Sequence, residues 1–297
     1  MGAADVVPGV SGGTIAFITG IYQELIDSLK SVNGEALQKL FKEGIPSVWR
    51  HINGNFLVTL FAGIITSIIS LAKGITFLLE NHPTLVWSFF FGLIVASALL
   101  IGGTIRRWSW DRIIGLLAGI AVAYYITVAS PSQTSEAYWF IFLSGALAIC
   151  AMILPGISGS FILLLIGKYR FILESLSEFR VGIILVFVLG CLFGLLSFAR
   201  LLSWMFHHAR ELTIALLTGF MIGSLNKVWP WKNTLAWTTD RHGEEIPLLQ
   251  KSVLPGNFEG DPQLLWSIII ALAGFLVIWV LEKSTPQQVI GEDPQAD

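Results

Sequence analysis

Apolar runs of bilayer length constrain this chain more than any other feature. A helix needs about 20 consecutive apolar residues to cross the hydrocarbon core. Residues 56–79, 85–104, 113–129, 138–153, 182–206, 212–226 and 264–282 form such runs or come close to them. In lipid the backbone must satisfy its own polar groups, so runs of this kind predict membrane-spanning helices. The chain reads as an all-α polytopic integral membrane protein, one transmembrane domain over 1–297. Of its 297 residues 13% are charged, about half the share usual in soluble domains. A net charge of −2 gives no basic footprint for nucleic acid. Cys150 and Cys191 lie in apolar runs as small core residues, and the histidines show no metal-ligand spacing. No metal and no bound cofactor are expected. The N-terminus lacks the basic region of a signal peptide, and Val6 stands where a myristoylation signal takes Ser or Thr.

Two further apolar runs, 14–29 and 161–176, each follow the same words. "DVVPGVSGGTIAFITGIY" begins at Asp5 and "MILPGISGSFILLLIGKY" at Met152. With an offset of 147, residues 5–29 match 152–176 at nine of 25 positions, among them Gly20/Gly167 and Tyr22/Tyr169. With an offset of 127, "GIITSIISLAK" lies over "GCLFGLLSFAR", pairing Lys73 with Arg200, and Gly92 falls on Gly219. Gly119 then aligns with Gly274. The matches are collinear and the offset changes only at loops, which predicts internal repeats 1–136 and 137–286. Weak internal symmetry of this kind is characteristic of secondary transporters. Motif 2 is preceded by the run 138–153, whereas four residues precede Asp5, so a further N-terminal arm is expected for the first half.

Charge sets the orientation. Lys30, Lys39, Lys42 and Arg50, then Arg106, Arg107 and Arg112, fall in two connectors, while 80–84 and 130–137 carry no Lys or Arg. The positive-inside rule places the first pair in the cytoplasm. The end of motif 1 is then cytoplasmic and the end of motif 2 external, so the repeats run in opposite senses. Segments 138–153 and 155–176 are either two tilted crossings or the arms of a re-entrant hairpin. Residues 30–54 predict a short amphipathic surface helix, 227–263 a long loop, and 287–297 a mobile tail.

Proline lacks an N–H and is disfavoured inside a helix but suits its first turn. Gly9, Gly12 and Gly13, with Gly156 and Gly159 in the second copy, permit tight backbone and close approach of a ligand. Ser11, Thr14, Ser158 and Ser160 add hydroxyl donors. A helix started this way inside the membrane presents free N–H groups and a favourable dipole, an anion site. The bland alternative is a kink that lets helices pack closely. "GVSGG" also fits the nucleophile elbow of hydrolases, but no suitable His lies in the apolar core, and it lacks the Lys of a P-loop. No enzymatic chemistry is expected.

Lys73 and Arg200 sit well inside their spans, where a cation is costly. They either snorkel to the interface or meet a negative ligand, Arg bidentately and Lys as a point charge. Asp5 and Glu24 are the candidates for coupling to protons or sodium. Asp27 and Glu174 read as solvated helix ends. Arg106, Arg107 and Lys227 flank a repeated W-x-W and read as interfacial anchors.

The stretch "MGAADVVPGVSGGTIAFITGIYQELIDSL" resembles the bacterial membrane family known as domain of unknown function 368, associated with polyprenyl-phosphate transport. The likeness continues through "GALAICAMILPGISGSFILLLIGKY" and covers essentially the whole chain. The resemblance implies a further arm before Met1. The resemblance implies return of undecaprenyl phosphate across the bacterial inner membrane for cell-envelope recycling, with the family's re-entrant positions falling on Pro8 to Thr14 and Pro155 to Phe161. The implied partners are the lipid phosphate and surrounding membrane lipids, with a homo-oligomer left open. The rival readings are a small-anion transporter or channel, a membrane enzyme acting on a lipid phosphate, and an assembly protein whose motif only packs.

Overall fold

The computed structural model describes residues 1–7, 11–132, 134–239 and 245–284. The expected tail 287–297 and the repeat boundary at 286 lie outside them. A short α1 (Gly2–Asp5) leads into α2 (Gly12–Ile18) and α3 (Tyr22–Lys30). Surface helices α4 (Gly34–Glu43) and α5 (Ile45–His51) follow, then α6 (Gly54–Asn81), α7 (Pro83–Gly103) and α8 (Trp110–Val128). The second part runs α9 (Tyr138–Ile153), α10 (Gly159–Leu165), α11 (Tyr169–Ser177), α12 (Val181–His208) and α13 (Arg210–Ser224). Strands β1 (Lys232–Thr239) and β2 (Glu245–Ser252) and helix α14 (Leu264–Ser284) complete the described chain. Among the described residues five helices, α6, α7, α8, α12 and α14, are long and apolar enough to cross a membrane. The protein is a multi-pass membrane protein, mostly helical.

Several expectations are corrected. The apolar runs after the motifs are not single helices. Each breaks after two turns, at Gly20 (φ 76°) and Gly167 (φ 65°). A side chain is strained in that left-handed backbone, so glycine stops the helix although the hydropathy runs on. At about 1.5 Å per residue, α2 and α10 are each roughly 10 Å long, a third of a bilayer core. The single surface helix is two, hinged at Gly44 (φ 84°). Asn33 caps α4 by accepting the Ala36 N–H. Leu37, Phe41 and Ile45 stand exposed there, an apolar face suited to lipid. The fold is not all-α: the stretch taken for a loop contains an antiparallel hairpin, with Lys232 opposite Ser252 and Thr239 opposite Glu245. Three of the eight β1 residues are Thr and one is Trp, types that suit a strand.

Helix pairing follows glycine. Helix α7 packs along α14 rather than along its chain neighbour α8, and α8 packs along α13. In the first pair a methyl group at Gly92 would strike the Ala271 backbone and one at Gly274 the Phe89 backbone. In the second, Gly119 abuts Leu216 and Gly219 abuts Leu116 in the same reciprocal way. Backbones this close gain dispersion contact that lipid cannot supply. The two contacts use residues that are equivalent under the sequence offsets. A third close pair, α9 with α12, meets at Gly145 and Gly190. Cys150 lies there too, its thiol 3.7 Å from the Gly194 carbonyl.

The element bounds repeat as well. Helices α2 and α3 have the lengths of α10 and α11, and each starts 147 residues before its counterpart. Helix α6 has the 28 residues of α12, 127 positions earlier.

Candidate functional site

The two motifs touch. Thr14, fully buried, accepts the backbone N–H of Gly156 at 2.9 Å. Ser11 donates to the carbonyl of Met152 at 2.7 Å and accepts the Gly13 N–H at 3.0 Å. Tyr22 donates to the Ile153 carbonyl at 3.2 Å. The backbone between α9 and α10 is thus satisfied by side chains of the first motif, 131 to 142 residues away. Gly156 (φ 90°) turns the chain where a methyl group would strike Ser224. Gly13 lies against the Ile153 carbonyl with no room for a side chain. These contacts explain why the words Pro-Gly-x-Ser-Gly need small and hydroxylated residues: each brings one main chain against another.

The start of α2 is already served by the chain's own groups. Ser11 is its N-cap. The Asp5 carboxylate accepts the Gly12 N–H at 2.6 Å, the favourable pairing of an anion with a helix N-terminus. Sequence reasoning foresaw Asp5 at the motif entrance but not this bond. The second copy is more open. Ser158 and Ser160 share a hydrogen bond of 2.8 Å, and Ser160 is exposed. Gly159 is buried against the Ala148 carbonyl. Gly9 lies outside the described residues.

The paired cations are not at this junction's packed contacts. Lys73 and Arg200 are exposed on α6 and α12, and neither makes a hydrogen bond or ion pair among the described residues. Glu24 is exposed and accepts from Asn53 Nδ2 at 2.8 Å, tying α3 to the start of α6. Asp27, read as solvated, is half-buried and accepts from the Ser203 hydroxyl at 2.6 Å. Lys30 donates to the same hydroxyl at 3.1 Å, so α3 and α12 are joined by a charged cluster. Glu174 forms an i,i+4 pair with Arg170.

The second W-x-W departs from the anchor reading. Trp108 and Trp110 are exposed, as an interfacial belt requires, but Trp231 is buried and donates to the Pro262 carbonyl. Trp229 donates to the Val253 carbonyl and meets the Phe91 ring edge-on. Lys227 is half-buried, its ammonium 4.0 Å from the centre of the Phe161 ring on α10. Burial lowers its pKa to about 8. A repeated W-x-W cannot reveal which copy turns inward.

A sequence model of the VCA0040-like family, described as undecaprenyl phosphate translocase-like, matches residues 1–246. A curated polyprenyl-phosphate transporter of Vibrio cholerae serotype O1 is 50% identical over 287 residues, covering 95% of this chain and 93% of the relative. A polyprenyl-phosphate transporter of Staphylococcus aureus is 32% identical over 248 residues, 77% of this chain and 83% of the relative. No solved structure matches the chain.

Proposed function

Because the chain belongs to the undecaprenyl phosphate translocase-like family, we propose that it transports a polyprenyl phosphate across the bacterial inner membrane, returning the carrier for cell-envelope synthesis. Family and named relatives are transporters, not enzymes. The observation that carries the mechanistic part of the reading is the junction of the motifs, where Thr14 holds the Gly156 N–H and Ser11 the Met152 carbonyl.

In this reading the halves 1–136 and 137–286 are inverted copies. The equal element lengths and the exchanged partners of α7 and α8 support it, since a pseudo-two-fold axis maps the α7–α14 contact onto α13–α8. Helices α2 and α10, too short to cross, are the ends of re-entrant segments whose irregular backbone is tolerated where protein covers it. The headgroup lodges beside this junction. Ser158 and Ser160 supply hydroxyls, Lys73 and Arg200 offset its charge from the two sides, and the isoprenoid tail stays in lipid. Alternating access follows when one half rocks against the other, which must loosen the Thr14–Gly156 contact. Ion coupling acts through Asp5, whose carboxylate competes with a phosphate for the Gly12 N–H, or through Glu24.

The test is a flip assay. Purified protein in liposomes receives labelled polyprenyl phosphate on one leaflet, with and without proton or sodium gradients. Transfer above protein-free liposomes supports the reading, and its absence in active preparations rejects it. Cysteines placed at Lys39 and Glu178 must label from opposite faces; labelling from one face rejects the inverted arrangement.

A further inference from the structure

Two lysines next to motif 2 point inward with no acidic partner among the described residues. Lys227 follows α13, its N–H bonded to the Ser224 carbonyl at 2.8 Å. Ser224 is also the residue against which Gly156 is packed. The Lys227 ammonium faces Phe161, which adjoins the exposed Ser160. Lys232, the first residue of β1, puts its ammonium 4.0 Å from the centre of the Trp87 ring at the start of α7. It also donates to the Lys227 carbonyl at 2.8 Å. Both lysines are half-buried, and neither forms an ion pair among the described residues. Aromatic faces attract a cation but do not neutralise it. Two ammonium groups that repel each other and are held out of water are a poor arrangement for stability alone. An anion would relieve it.

We propose that Lys227 and Lys232 form a binding site for a phosphate monoester on the hairpin side of motif 2, where the headgroup is held before it reaches Ser158 and Ser160. The proposal rests on the transport reading above and adds residues that reading does not use. A phosphate dianion matches two point-charge ammonium donors. The Phe161 and Trp87 rings lie against the two ammonium groups and offer apolar surface to the first carbons of a hydrocarbon tail. Burial lowers the pKa of Lys232 well below that of an ordinary lysine, with repulsion from Lys227 adding to it. The Phe161 ring of α10 faces Lys227 and the Trp87 ring of α7 faces Lys232; both rings are neutral, so each lysine is the other's titratable neighbour. With the free Lys227 near 8, its ammonium is present below that pH and lost above it. Phosphate affinity is therefore highest below pH 8. Above it, affinity falls by up to about tenfold per unit for each proton that binding must recover. The phosphate itself is dianionic throughout, its second pKa being about 6.

Full-length protein in detergent is titrated with farnesyl phosphate, farnesol and inorganic phosphate between pH 7 and about 9.5. Farnesyl phosphate should bind at least about tenfold more tightly than farnesol. Lys227→Gln and Lys232→Gln should each weaken farnesyl phosphate by about tenfold or more and leave farnesol unchanged. Lys227→Arg should restore binding and flatten the fall above pH 8, because a guanidinium does not titrate there. Parallel losses for inorganic phosphate assign the site to the headgroup alone; losses confined to farnesyl phosphate assign it to the lipid. Unchanged affinity in both Gln variants overturns the proposal. Should those variants fail to fold, a flat pH profile for the native protein overturns it as well. Native protein that flips lipid while the Gln variants bind normally removes this site and leaves the transport reading standing. Lysine-dependent binding without flipping does the reverse.

Discussion

Replacing Thr14 with valine isolates the bond that joins the motifs. The side chains are nearly the same shape, so packing is kept while the acceptor for the Gly156 N–H disappears. Interhelical hydrogen bonds in membranes average only about 0.6 kcal/mol, because the separated helices find other partners. Here the group left behind is a backbone N–H. Thr14 is wholly buried and Gly156 is fixed at φ 90° against Ser224, so the N–H cannot turn to another acceptor. The relevant magnitude is then the desolvation cost of a buried unsatisfied donor, about 1–3 kcal/mol. The assay is reversible denaturant unfolding in detergent, read by tryptophan fluorescence, on native protein, Thr14→Val and Thr14→Ser. Thr14→Val should lose about 1–3 kcal/mol, and Thr14→Ser, which keeps the acceptor, less than half of that. A loss of under about 0.5 kcal/mol for Thr14→Val refutes the idea that this bond holds the motifs together.

Further outcomes follow from the same contacts. Lys73→Ala and Arg200→Ala remove exposed cations with no described partner, so membrane levels should stay near normal while carrier recycling is abolished; recycling by both variants takes the cations out of the mechanism. Asp5→Asn keeps an acceptor for the Gly12 N–H and should preserve stability within about 1 kcal/mol, while the dependence of lipid transfer on an imposed ion gradient should vanish. Ser203→Ala severs the link between Asp27 and Lys30 at the α3–α12 contact. Because the hydroxyl bonds to charged groups, the expected loss is about 1.5–3 kcal/mol in unfolding.

The membrane-spanning helices were legible because a span is a property of length and composition. The expected run 56–79 falls inside α6 by two residues at each end, whereas the runs 138–153 and 212–226 correspond to α9 and α13, which at 16 and 15 residues are shorter than the five spans. Helix ends inside an apolar run were not legible in the same way. Gly20 and Gly167 stop α2 and α10 through backbone conformation, which hydropathy does not register, although their recurrence at the repeat offset had marked them. The hairpin was missed because its residues sit in a polar stretch full of turn formers. The candidate site was half visible. Repetition singled out Ser11, Thr14, Gly156 and Ser158, but nothing local says that the first motif's hydroxyls bond to the second motif's backbone. Lys227 was misread for a related reason. A long cationic side chain beside a tryptophan can reach water or fold inward, and the choice depends on Phe161, far away in sequence.

The crosswise pairing of α7 with α14 and of α8 with α13 carries a consequence for biogenesis. As the ribosome delivers the chain, the seams at Gly92 and Gly119 are inserted before their mates exist; Gly119 must idle against lipid until α13 emerges, and Gly92 until α14 does. A chain halted before Gly274 should hand α7 to quality-control proteases even though every residue of that helix is present.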